Sequence, residues 1–149
     1  MMLNKTFCIL ASFMFFGILF IPETSYACNC DLPRTDRSLK QQVIEARKRS
    51  EAVFTGTVLE ISKRPGDLYI TVKFKVEEVW RGPRGAETSV FTGIGGGDCG
   101  YKFEIGEKYL VYAYKRDDSK LETNICQRTA PLAEAGPDLK VLGKSSWRK

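Results

Sequence analysis

The chain has 149 residues, a formal net charge of +5 and no histidine. The missing histidine excludes Ser-His-Asp and Cys-His nucleophile arrangements and removes the commonest zinc ligand and general base. Its 23 Lys and Arg residues are scattered among 18 acidic ones, a pattern of solvated surface that gives no reason to expect nucleic-acid binding.

The first segment reads as an export signal. Lys5 precedes an apolar run from Phe7 to Ile21, shorter than the roughly 18 to 20 residues needed to span a bilayer. Pro22 ends the run, and Ser25-Tyr26-Ala27 puts small residues at the positions that signal peptidase reads, with cleavage before Cys28. The expected mature chain is residues 28–149, a single secreted domain with no membrane attachment after cleavage. Cys8 leaves with the signal, and Cys28, Cys30, Cys99 and Cys126 remain. An even number in a small exported domain reads as two disulfides, and sequence permits three pairings. A Cys28–Cys30 bridge is disfavoured because a one-residue gap strains the geometry, so each is expected to reach one of the distant pair. In the chain-entropy treatment, bridges closing such long loops are worth roughly 4 to 5 kcal/mol each.

Ser38 to Arg49 carries Leu39, Val43 and Ala46 at i, i+4 and i+7, with Ile44 beside them, which predicts an amphipathic helix capped by Thr35 or Asp36. From Ala52 the pattern changes to strands. Ala52 to Ser62 is rich in β-formers, and Gly56 within it predicts a bulge. After a turn at Arg64–Asp67, Leu68 to Trp80 alternates, with Leu68, Ile70, Val72, Phe74 and Val76 on one face. Arg81–Gly85 is the next turn and Thr88–Thr92 a short strand. Lys108 to Lys115 and Leu121 to Cys126 are two further strands, separated by a turn at Asp117–Lys120. Beyond Pro131 one or two short helices are expected, for instance Pro137 to Leu142. The fold class is mainly β: about five strands with few helices fit a Greek-key barrel of the OB type better than an immunoglobulin sandwich, which needs about seven.

Few motifs suggest chemistry. Gly95-Gly96-Gly97 lacks the Gly-Lys-Ser/Thr ending of a phosphate loop and opens no helix, so its glycines are expected to let the backbone turn or approach a neighbour near Cys99. Cys28-Asn29-Cys30 fits neither structural-zinc nor redox spacing. The acidic residues sit mostly in turns or alternate with Lys on strand faces, so no enzyme and no cofactor of its own is expected. A cleaved chain, however, starts at Cys28 with an α-amine of ordinary pKa about 7.7 to 8.0, partly neutral at physiological pH. That nitrogen and the residue's own carbonyl oxygen can close a five-membered ring on a metal. Placed on a catalytic zinc, they displace the water that acts as nucleophile.

At these residues the chain resembles the tissue inhibitors of metalloproteinases, in their N-terminal netrin-like OB domain and especially in compact bacterial form. The resemblance rests on Cys28-x-Cys30 at the cleavage point, Ser50–Gly56, Cys99-Gly100, Gly106, Tyr109-Leu110-Val111, and Leu121 to Cys126 with Pro131-Leu132 beyond. It implies bridges Cys28–Cys99 and Cys30–Cys126, with Cys28 chelating the zinc of a target metalloprotease through backbone nitrogen and oxygen. Asn29 would enter the pocket after the scissile bond, and Cys30, Asp31 and Leu32 would follow along the cleft. Parts of the first hairpin and the loop before Cys99 would supply outer contacts. The chain departs from the animal inhibitors in having two bridges where they have three, in lacking their second domain, and in carrying Asn29 where they favour Thr or Ser. A monomer is expected. The alternative reading is a secreted netrin-like binding module without inhibitory activity, using its basic balance and Tyr101, Tyr112 and Tyr114. Lipidation of Cys28 is a third reading, disfavoured by Ser25-Tyr26 as a poor lipobox.

Overall fold

The computed structural model describes residues 28–30, 36–82 and 84–149; the expected export signal, Thr35, Asp31 and Leu32 lie outside the described residues. Helix α1 (Leu39–Arg49) begins at Ser38, whose hydroxyl accepts the Gln41 N–H while the Gln41 side chain accepts the Ser38 N–H at 2.8 Å. This reciprocal box satisfies two orphan donors, and Ser38 therefore takes the capping role expected of Thr35 or Asp36. Val43 and Ala46 are buried, whereas Leu39 and Ile44 stay exposed along the edges of that stripe.

The strands are β1 (Ala52–Ser62), β2 (Tyr69–Arg81), β3 (Glu87–Gly93), β4 (Lys108–Lys115) and β5 (Leu121–Glu122). They close in the order β1-β2-β3-β5-β4 and back to β1; β3 and β5 run parallel, and the other pairs are antiparallel. The result is a mainly β, OB-type barrel whose ring of strands removes most exposed sheet edge. Register shifts in β1, one of them at Thr55/Gly56, bend the strand so that it serves both β2 and β4. Gly56 is needed there, since a Cβ would lie 2.7 Å from the Lys75 carbonyl oxygen.

Two short strands escape the sequence pattern. β6 (Ala130–Pro131) pairs with the first half of β4, and β7 (Trp147–Arg148) pairs with β2 beyond the point where β3 begins. The strand expected over Leu121–Cys126 ends at Glu122. The Thr123 N–H still makes the parallel ladder bond to the Phe91 carbonyl, while on the β4 side its hydroxyl donates to the Tyr112 carbonyl, each at 2.9 Å. One C-terminal helix forms, α2 (Gly136–Leu142). Leu68, expected on the buried face of β2, precedes the strand and is 74% exposed.

Two apolar layers result. Val58, Val72, Phe74, Val76, Val90 and Val111 fill the barrel, with Phe74 edge-on to Phe54 at 5.5 Å and to Phe103 at 5.3 Å. Val43, Val53, Trp80, Leu110, Tyr112 and Leu142 form the second layer, between α1, α2 and the outer face of β1 and β4. Tyr112 is fully buried and so cannot serve the surface recognition considered for it. Its hydroxyl donates to Asp138 at 2.9 Å, and Arg128 grips the same carboxylate with two N–H donors at 2.8 and 2.5 Å. Burial first, and then the Asp138 charge, push the Tyr112 phenol pKa upward, so it stays a neutral donor.

This network stands between α2 and the loop that carries Cys126. Asp138→Ala leaves a buried hydroxyl and a guanidinium without their acceptor, and is expected to lower unfolding free energy by about 3 kcal/mol in urea titration. A loss below about 1 kcal/mol would show that the network contributes little.

Candidate functional site

Cys28 is bonded to Cys99 and Cys30 to Cys126, across sequence separations of 71 and 96 residues, with Cα–Cα distances of 5.1 and 5.2 Å. The bridges lie side by side: the sulfurs of Cys28 and Cys126 are 3.9 Å apart. The three sulfurs of Cys28, Cys30 and Cys126 lie within 4.8 Å of one another, but each is engaged in a bridge, so the cluster offers no thiolate to a metal. Asn29, between the two cysteines, is exposed, while Cys28 and Cys30 are half-buried.

Residues 28–30 are only as fixed as the loops the bridges reach. The Cys99 loop is organised by Asp98, at the end of a short 3-10 turn (Gly96–Asp98). Its carboxylate accepts the N–H groups of Ile94 at 2.6 Å, Gly95 at 2.9 Å and Gly100 at 2.9 Å. Those donors, Gly100 and Ile94 foremost, hold the Asp98 carboxyl below the usual carboxylate range. The turn forces Cys99 into the left-handed region, φ 60° and ψ 17°, a conformation that costs a non-glycine residue about 1 kcal/mol. Gly93 and Gly100 approach so closely that a Cβ on Gly100 would sit 2.3 Å from the Gly93 carbonyl oxygen. The close crossing expected of Gly95-Gly96-Gly97 is thus made by Gly93 and Gly100 instead, while Gly95, at φ 103° with nothing near its would-be Cβ, serves the turn. Downstream, Tyr101 N–H donates to the Thr92 hydroxyl at 2.7 Å and Phe103 plugs the barrel.

The Cys126 loop rests on a second anchor. The Thr123 and Thr129 hydroxyls meet at 2.8 Å, Thr129 also accepts the Tyr112 N–H at 3.0 Å, and Arg128 binds Asp138. The two loops are tied together directly, because Ile125 N–H donates to the Cys99 carbonyl at 3.0 Å. Around them stand exposed apolar side chains. Ile94 and Ile125 are about half exposed, at 51% and 50%, and the β1–β2 hairpin brings Leu68 and Tyr69 alongside through the pairing of Tyr69 with Gly93. The Arg116 guanidinium stacks 4.4 Å from the Tyr69 ring centre and steadies it.

Of the residues singled out from sequence, the structure brings Cys28, Asn29, Cys30, Cys99 and Cys126 together, while Asp31 and Leu32 are outside the described residues. Sequence reading missed Asp98 and Thr123; of the rim it named the first hairpin and the loop before Cys99, where Leu68, Tyr69 and Ile94 lie, but not Ile125. An Asp two residues before a glycine is an Asx-turn signal that would have found the first. Two surface depressions, of about 300 and 460 Å³, are lined by Glu77 and Glu78 on β2 and by α2 or β7 residues, and neither is lined by the cysteines. No family model matches the chain, and no curated protein matches it significantly.

Since the folded-state pKa of Asp98 is depressed, its contribution is complete above the unfolded value near 3.9 and is lost as pH falls through the folded value. The amide resonances of Ile94, Gly95 and Gly100 should therefore titrate together below about pH 3.9. In Asp98→Ala the same amides should exchange with solvent about tenfold faster or more at neutral pH. Unchanged exchange would mean that the bridge and the glycines shape this loop without the carboxylate.

Proposed function

We propose that the chain is a secreted inhibitor of zinc metalloendopeptidases, acting through an N-terminus generated by cleavage before Cys28. The backbone nitrogen and carbonyl oxygen of Cys28 take two positions on the target's catalytic zinc, and the zinc belongs to the target enzyme. Water loses its place on the metal and hydrolysis stops.

One observation carries this reading. Cys28 and Cys30 are both stapled to neighbouring, mutually hydrogen-bonded loops, with Asn29 exposed between them. A terminus already immobilised loses little entropy on binding, and that difference separates a tight ligand from a floppy peptide. The rim of Leu68, Tyr69, Ile94 and Ile125 supports the same reading, because it offers apolar contact area around the chelating residue. The absence of histidine from the chain fits a protein that blocks chemistry on another molecule's metal. Export is supported by the leading apolar segment and by two disulfides, and no helix among the described residues is long and apolar enough to cross a membrane.

The decisive comparison uses secreted protein whose N-terminus is read by mass spectrometry, assayed against a panel of zinc endopeptidases beside a form with one extra Ala before Cys28. The native form should inhibit at least one protease, and the extended form should be weaker by about a hundredfold, having lost its charge-neutral chelating amine at the correct atom. Equal inhibition by the two, or none by either, would refute chelation and leave the binding-module alternative. With inhibition established, Leu68→Ser combined with Ile94→Ser should raise the inhibition constant about tenfold, a loss of contact energy near 1.4 kcal/mol. An unchanged constant would place the outer contacts elsewhere.

A further inference from the structure

The two bridges touch each other through their sulfur atoms. Cys28 Sγ lies 3.9 Å from Cys126 Sγ, to which it is not bonded, and the sulfurs of Cys28, Cys30 and Cys126 all lie within 4.8 Å of one another. Cys126 is exposed, and Cys28, Cys30 and Cys99 are half-buried, so a small thiol in solution has access to the pair. Two bridges this close invite exchange, because a thiolate beside a disulfide is the reacting pair of thiol–disulfide chemistry.

Three features preserve that contact when one bridge opens. Only Asn29 separates Cys28 from Cys30, so a sulfur released at Cys28 stays tethered through the Cys30–Cys126 bridge, at an effective concentration of roughly millimolar or more. The receiving loops have supports of their own: the Asp98 carboxylate organises one, and the Thr123–Thr129 contact holds the other. They are also joined without sulfur, through the Ile125 N–H bond to the Cys99 carbonyl at 3.0 Å. A cut at Cys28–Cys99 therefore leaves the freed sulfur beside an intact disulfide.

We propose that the pair is a thiol-triggered switch between two bridge isomers: Cys28–Cys99 with Cys30–Cys126, and an exchanged form, Cys28–Cys126 with Cys30–Cys99. A small thiol such as glutathione attacks Cys99 Sγ as its thiolate, forms a mixed disulfide there and releases Cys28 as thiolate. The Cys28 side chain rotates and attacks Cys126 Sγ. The Cys28–Cys126 bond forms, the Cys30–Cys126 bond breaks, and Cys30 leaves as thiolate. Cys30 then attacks Cys99 Sγ and the small thiolate departs. Each step makes one S–S bond and breaks one, so no electrons are gained or lost and the small thiol is regenerated. In the exchanged form Cys28 belongs to the Cys126 loop, displaced by up to about 7 Å, the span of two extended residues. Such a shift takes its backbone donor atoms off any metal they were aligned on. That consequence rests on the proposed inhibition, whereas the exchange itself does not.

The test holds the disulfide-intact protein with substoichiometric glutathione, quenches it with acid, and maps its bridges by tandem mass spectrometry. A Cys28–Cys126 linkage should appear with the thiol and stay absent without it. Its rate should be independent of protein concentration and should rise about tenfold per pH unit below the ordinary thiol value near 8.5. No such linkage, or a rate that scales with protein concentration and so marks exchange between molecules, would overturn the switch. Cys99→Ser isolates the middle step, since it leaves Cys28 as a thiol beside the intact bridge. An alkylating label should then divide between Cys28 and Cys30, and a folded variant labelled on Cys28 alone would also overturn the switch. Should that variant fail to fold, the native protein still decides. Exchange in a protein that inhibits no protease leaves the switch standing and refutes only the inhibitory reading; inhibition without exchange does the reverse.

Discussion

The Asp98 carboxylate collects three backbone N–H groups, and the geometry of the bridged residues 28–30 depends on it. Those bonds fold residues 94–100 back on themselves, place Cys99 in a left-handed conformation, and bring Gly100 against Gly93. A disulfide transmits position only as well as its anchor is fixed. Cys28 inherits its place from a loop held by hydrogen bonds on one side and by Phe103 in the barrel on the other. Cys30 inherits its place from a loop resting on buried threonines and the Arg128–Asp138 pair. The Ile125 N–H bond to the Cys99 carbonyl ties the two supports to each other.

The barrel was legible where residue type and period agree. β1 and β4 match the sequence reading at both ends, since each is a dense run of β-formers between turn residues. The two layers served by β4 were not separable in advance, because Tyr109 to Ala113 is apolar throughout and both faces are buried. The final strand was overestimated at Thr123–Cys126, where threonine hydroxyls take over from the backbone ladder. β6 and β7, at two residues each, are too short for any period to appear. The cap at Ser38 lost out in the reading to Thr35 or Asp36, although Gln41 three residues on completes the box.

The site divides in the same way. The Cys-x-Cys spacing was visible, but the residues alone left two pairings open, and only three-dimensional proximity distinguishes them. Asp98 was legible only as one end of an Asp-x-Gly turn signal; that its carboxylate also collects the Ile94 and Gly95 N–H groups emerges only from the folded backbone.

The double burial of β4 constrains how this fold can vary. Tyr109, Val111 and Ala113 face the barrel while Leu110 and Tyr112 face the helices, so losing one residue would swap the two sets and leave the buried Asp138 without its phenol partner. The tip of the β1–β2 hairpin has the opposite character. Lys63 to Asp67 are exposed, and Gly66 looks into open space. Lengthening belongs at that tip: evolution or an engineer could graft extra reach there and leave the strand register untouched.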